Sequence, residues 1–229
     1  MLGMINGDFI KLENVDPGDI SDVLIKIEKS FGIQFRKPEL KDVKTFGELC
    51  DIIVSKIKLL DSNGCTTQQA FYKLRNAISK TLSIDKIIIN PDTQLNLLFP
   101  KQARRKTILQ VEKELGFSLK LLRPKHFITG FYAMLFLASL FGIFVSWQIG
   151  LIGIISSSLG MSIADRFGKE FKVHTVSELI EKMGRENYMK SRRNNKRVNK
   201  AEVVRNIEQL FSSDLGVQLH FLTRDAVLS

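Results

Sequence analysis

Three histidines, two cysteines and two clusters of basic side chains are the residues with the strongest chemical potential in this chain of 229 residues. His126, His174 and His220 fall in unrelated segments with no cysteine or carboxylate at metal-ligand spacing, so no metal site is expected. Cys50 sits within an apolar helical run and reads as a small core residue, and Cys65 lies in the loop "DSNGCTT" without a neighbour that would activate a nucleophile. Two cysteines also exclude a disulfide-dense scaffold. No phosphate-binding glycine loop, nucleophile elbow or paired carboxylate is present, so the chain is expected not to be an enzyme.

The basic clusters are Arg104, Arg105 and Lys106, and a run from Lys190 to Lys200 that includes Arg192 and Arg193 and has six basic and no acidic residues. Such charge can neutralise the phosphates of a nucleic acid or of lipid headgroups. Aromatic residues do not interleave with the second run, which removes the stacking platform that single-stranded nucleic acid uses. Lipid is therefore the expected anionic partner, and a membrane-tethered nucleic-acid-binding protein is an alternative.

The elements that must position these groups follow from an uneven charge distribution. Lys and Arg number 34 against 24 Asp and Glu, for a formal charge of +10. Residues 62–126 carry +8 and residues 165–229 carry +4, whereas residues 1–61 carry −2 and residues 127–164 carry no charge at all. From Phe127 to Trp147 the sequence "FITGFYAMLFLASLFGIFVSW" is about 31 Å long as a helix, enough for a hydrocarbon core of about 30 Å. The following run, Ile149 to Ala164, reaches about 24 Å and spans only with Gln148, Asp165 and Arg166 at the interfaces.

Together they predict a transmembrane hairpin. Basic residues flank both ends, which places both termini in the cytoplasm. Phe127, Phe131, Phe136 and Trp147 are expected to touch lipid, and Arg104, Arg105, Lys106, Arg192 and Arg193 to face headgroups. The opening "MLGMINGDFIKLENVDPGD" lacks the basic start and apolar run of a secretory signal, so none is expected.

Around the hairpin, short segments recur. "IEKSFGIQF" from Ile27 is similar to "VEKELGFSL" from Val111 at an offset of 84, and "VKTFGEL" from Val43 to "VHTVSEL" from Val173 at an offset of 130. Asp92 and Leu95 match Asp225 and Leu228 at an offset of 133. Thr45 with Glu48 and Thr175 with Glu178 fit the S/T-x-x-E capping box. The hydrophobic block thus reads as an insertion into the second copy of a repeated helical unit.

This order resembles the acyl carrier protein family, most clearly in "IEKSFGIQF...VKTFGELCDII", which is similar to its second helix, connecting turn and last helix. The resemblance implies an all-α fold of two small acyl-carrier-like bundles plus a two-helix membrane hairpin. Residues 1–61 would be a partial unit containing helices two to four, and 68–126 the first part of a second unit. The hairpin at 127–164 follows, then the last part of the second unit at 165–184, a basic linker at 185–199, and a first helix and loop at 200–229. The last piece would complete the first unit, as a circular permutation within one chain or between two chains of a homodimer.

The resemblance also implies a serine carrying phosphopantetheine at the start of the second helix. Pro17 and Lys101 occupy that position here, and neither has a hydroxyl. The expectation is a scaffold or docking protein without this cofactor, its protein partner drawn from acyl-chain or lipid metabolism. The alternative is a functional carrier modified at Ser21, one turn further on.

Overall fold

A computed structural model describes residues 17–57, 60–61, 65–192 and 197–228. It is mostly helical, with ten helices among the described residues. Four strands of two residues each among the described residues depart from a purely α-helical expectation. β1 (Leu60–Asp61) pairs in parallel with β4 (Arg197–Val198), and β2 (Leu122–Arg123) pairs antiparallel with β3 (Glu170–Phe171). The chain divides into two compact units, one formed by residues 1–76 and 180–229 and the other by residues 77–179.

In the first unit, α1 (Pro17–Phe31) carries Val23, Ile27 and Phe31 at four-residue spacing, and this stripe is fully buried. It meets Phe46, Leu49, Cys50 and Ile53 of α2 (Phe46–Lys56) and Val203, Ile207, Leu210 and Phe211 of α10 (Lys200–Leu215) in one core. Phe46 and Phe211 pack edge to face with ring centroids 5.1 Å apart, a favourable arrangement for two aromatic quadrupoles. Thr45 caps α2, its hydroxyl accepting from the Glu48 N–H while the Glu48 carboxylate accepts from the N–H groups of Lys44 and Thr45.

Backbone hydrogen bonds join this capped turn to the last described residues of the chain. The Phe46 N–H donates to the Ala226 carbonyl (2.8 Å), the Gly47 N–H to that of Arg224 (2.9 Å) and the Leu228 N–H to that of Lys44 (2.9 Å). A Cβ on Gly47 would stand 2.7 Å from the Arg224 oxygen, so this approach needs glycine.

Residues 185–192, expected as part of a linker, instead belong to the first unit. α8 (Val176–Glu186) runs on to Glu186, and α9 (Tyr188–Ser191) adds a turn. Tyr188 joins the core, where its ring lies 5.1 Å from that of Phe31, and its backbone N–H donates to the Ser30 hydroxyl. α3 (Thr66–Leu82) begins at Thr66, whose N–H donates to Glu202 at 2.8 Å.

In the second unit, α5 (Arg104–Leu115) buries Ile108, Val111 and Leu115 and ends at Gly116, which takes the left-handed backbone that stops a helix. The one-turn α4 (Leu95–Leu98) lies in a loop that is held to the start of α8 by the Leu95 N–H donating to His174 (2.9 Å), Val176 to Thr93 (3.0 Å) and Ser177 to Pro91 (2.8 Å). Thr175 accepts from the Glu178 N–H, and Glu178 accepts from that of His174.

The second unit also contains the long hairpin. α6 (His126–Val145) and α7 (Trp147–Phe167) pack tightly against each other and are joined by Ser146 alone. The second helix is longer than its uncharged run predicts. It continues through Asp165 and Arg166 for 21 residues, or about 31 Å.

Candidate membrane anchor and its basic root

Both hairpin helices are long and apolar enough to cross a membrane, with mean hydropathies of 2.0 and 1.4 over their candidate spans. The seam between them is made of small residues. Gly150, Gly153, Ser157 and Gly160 lie at spacings of three and four, which places them on one face of α7. A Cβ on Gly150 would come within 2.7 Å of the Ile143 nitrogen, and one on Gly153 within 2.8 Å of the Ser139 Cβ. The Tyr132 ring occupies the corresponding space at Gly160. These contacts bring the two helix backbones close and supply the van der Waals packing that holds helices together where no hydrophobic driving force acts.

The outward faces are largely apolar and uncovered, with Phe144 89 % exposed and Phe141 74 %, and are interrupted by exposed Gln148, Ser156, Ser158 and Ser162. Contiguous exposed apolar surface of this extent marks a site of interaction with a membrane or another protein. Thr129, Ser139, Ser156, Ser157 and Ser162 each donate their hydroxyl hydrogen to a carbonyl of the preceding turn. Their polar groups are therefore satisfied within the helix, as an environment without water requires.

The two ends of the hairpin meet at the β2–β3 pair, where Leu122 lies opposite Phe171 and Arg123 opposite Glu170. Gly168 comes so close to the Arg123 carbonyl and Pro124 that a side chain would not fit. Arg104 fastens this root from below. Its Nε donates to the Phe99 carbonyl (2.9 Å), one terminal nitrogen to the Lys169 carbonyl (2.6 Å) and the other to the Asn96 side chain (2.8 Å). The guanidinium also stacks over the Phe171 ring at 4.2 Å. Burial pushes its pKa down, with Glu170 opposing, and it remains a cation at any ordinary pH.

Arg104 therefore has no free surface for the headgroup contact expected of it. Arg192 is a second correction, since it is buried in the first unit with its guanidinium on the Thr66 and Tyr188 hydroxyls and 3.4 Å from the Glu202 carboxylate. Both cations look exposed in sequence because their neighbours are polar. Their partners come from distant segments, which spacing does not reveal. Burial raises the Tyr188 pKa, which keeps its hydroxyl protonated beside Glu202.

Lys106 is exposed, Arg105 is half-buried, and Arg193 lies outside the described residues. Phe127, Phe131 and Trp147 are exposed on the hairpin, while Phe136 is more covered, at 37 %. Pro17 is the first residue of α1, and Ser21 is exposed on the same helix. Lys101 stands in the turn before α5 and pairs with Glu170 at 3.4 Å.

The root also gathers residues that stand apart in the sequence. Arg105, Lys120, Lys172 and Asp165 line one groove of about 350 Å³, together with Glu112 and Ser118. In sequence they are scattered over 68 positions, and only the β2–β3 pairing brings them together. Comparison with known protein families, curated proteins and solved structures finds no match to this chain.

Proposed function

We propose that this chain is a non-enzymatic membrane protein in which the α6–α7 hairpin anchors two acyl-carrier-like helical units to the cytoplasmic face of a bilayer for docking of a protein partner. The observation that carries the anchor is the hairpin's surface: two helices of spanning length with largely apolar outward faces, the hydroxyls of Thr129, Ser139, Ser156, Ser157 and Ser162 satisfied internally. Lys125, Arg166 and Lys169 at the root favour a cytoplasmic location for both ends of the hairpin.

What supports a repeated unit is the recurrence of contacts at the sequence offsets. Glu28 accepts from the Phe35 N–H, and 84 positions on, Glu112 accepts from that of Leu119, both at 2.6 Å. The three backbone bonds that tie Lys44, Phe46 and Gly47 to residues 224–228 have counterparts at His174, Val176 and Ser177 with residues 91–95. In the first unit the capped turn precedes its partner loop in the chain, and in the second it follows. That reversal is what a circular permutation would produce.

The docking role rests on the absence of a hydroxyl at Pro17 and Lys101, the positions matching the carrier serine. Intact mass measurement after incubation with a phosphopantetheinyl transferase and coenzyme A tests it: the mass should not change. Addition of the arm at Ser21 would establish the carrier reading instead. Flotation with liposomes tests the anchor, and a chain that stays at the bottom of the gradient without detergent is not membrane-anchored.

A further inference from the structure

We infer that the groove at the hairpin root is a binding site for the headgroup of a membrane phospholipid carrying a phosphate and a primary amine, a phosphoethanolamine. The inference rests on the anchor reading, because the groove reaches the last turn of α7 at Asp165, where the chain would leave the hydrocarbon layer.

Three cations from separate elements share this groove: Arg105 on α5, Lys120 in the loop after it, and Lys172 just beyond β3. The Lys172 N–H donates to the Leu121 carbonyl at 2.9 Å, which continues the β2–β3 ladder and fixes Lys172 opposite Leu121, one residue along the chain from Lys120. Lys120 itself has φ +47, a left-handed backbone that costs a non-glycine residue conformational energy. Like charges held together repel unless an anion lies among them.

The groove's own carboxylates offset that charge only in part, two of them facing three cations. Glu112 accepts from the Ser118 hydroxyl (3.0 Å) and the Leu119 N–H (2.6 Å), which hold it against its own turn. Asp165 forms no ion pair with Arg105, Lys120 or Lys172. A phosphate diester accepts from the three cations, and the ammonium group two carbons away pairs with Asp165. A purely anionic headgroup would meet Asp165 as a repulsive neighbour.

The test uses the full chain reconstituted in nanodiscs of phosphatidylcholine with equal parts of phosphatidylethanolamine and phosphatidylglycerol. Incorporation into the discs reads the anchor, and the lipid retained on release into detergent, measured by native mass spectrometry, reads the groove. Phosphatidylethanolamine should be retained over the other two by about tenfold, the scale of one charge-assisted contact. Lys120→Asn with Lys172→Gln should abolish retention while leaving incorporation intact, and asparagine tolerates the left-handed backbone. Asp165→Asn should keep retention but remove the preference for the amine. An incorporated chain that retains no lipid, that prefers phosphatidylglycerol, or whose lipid is displaced by excess inorganic phosphate overturns the site and leaves the anchor standing.

Discussion

The two units close with the same three backbone bonds but differ at one loop. In the first, the segment between Phe35 and Val43 is a short turn holding a single 3-10 turn at Lys37–Glu39. In the second, the matching segment runs from Leu119 to Val173 and contains the entire α6–α7 hairpin. Local interactions on both sides of the loop are unchanged: Glu28 and Glu112 hold one end, and Glu48 and Glu178 hold the other. On the proposed repeat, the hairpin would be an insertion into a loop whose ends are fixed by the unit itself, so that the fold meets the cost of closing the loop.

A further contrast lies in chemistry. Both cysteines belong to the first unit, and only Cys65 is exposed. Thiol labelling of Cys50 therefore reports opening of the first unit alone and should lag that of Cys65 by a factor of about 10³ or more, set by the unfolding equilibrium. Burial pushes the Cys50 thiol up to about 12, whereas an unfolded cysteine ionises near pH ~8.5. The folded state then holds a proton that the unfolded state loses. Its contribution to stability is complete below about pH 8.5 and declines as pH rises toward 12, so alkaline denaturation of the first unit should shift upward in Cys50→Ala. Equal labelling rates for the two cysteines would show that α2 is not packed as described.

Cavity-forming changes separate the units next. Phe211 and Ile78 are both fully buried and stand 133 positions apart. Phe211→Ala should cost about 3–5 kcal/mol and Ile78→Ala about 2–4 kcal/mol, read as lowered denaturant midpoints in detergent. A midpoint unchanged for either variant would break the parallel between them.

Arg104 has Ile20 at the matching offset in α1, so a guanidinium at this place on the helix is found only in the unit that carries the hairpin. Arg104→Met leaves three acceptors without their donor and should destabilise the second unit by about 2–3 kcal/mol, with faster hydrogen exchange at Lys169 and Glu170. Exchange there at the unaltered rate would mean that the β2–β3 pair alone holds the root.

The smallest effect distinguishes two helix ends. Gly216 after α10 has φ +67, and Ser83, 133 positions earlier and just after α3, has φ +53. Ser83→Gly should stabilise by about 1 kcal/mol, and Gly216→Ala should destabilise by a similar amount. Thermal midpoints moving in the same direction for both would contradict the assigned backbone.

Much of this architecture is legible in sequence where the signal is local. The 38 uncharged residues mark the hairpin, and Thr45-x-x-Glu48 and Thr175-x-x-Glu178 mark helix starts, because each of these features acts within a turn or a bilayer thickness. Arg104 and Arg192 are illegible for the opposite reason. Their acceptors, Lys169 for one and Thr66 for the other, lie 65 and 126 positions away. The groove at the root has the same character, since Lys120 and Lys172 come to line one groove through a strand pair of two residues each.

The β2–β3 pair also makes the hairpin separable from the rest of the chain. Arg123 and Glu170 face one another in an antiparallel pair, whose backbones stand about 5 Å apart. A two-residue turn such as Asn-Gly can bridge that gap in place of residues 124–169. The resulting chain would keep the Leu122–Phe171 pairing and both sets of closing backbone bonds, and among the described residues it would hold no other helix long and apolar enough to span a bilayer. It would separate both units from the anchor, so that the contribution of the hairpin to partner docking can be measured by difference.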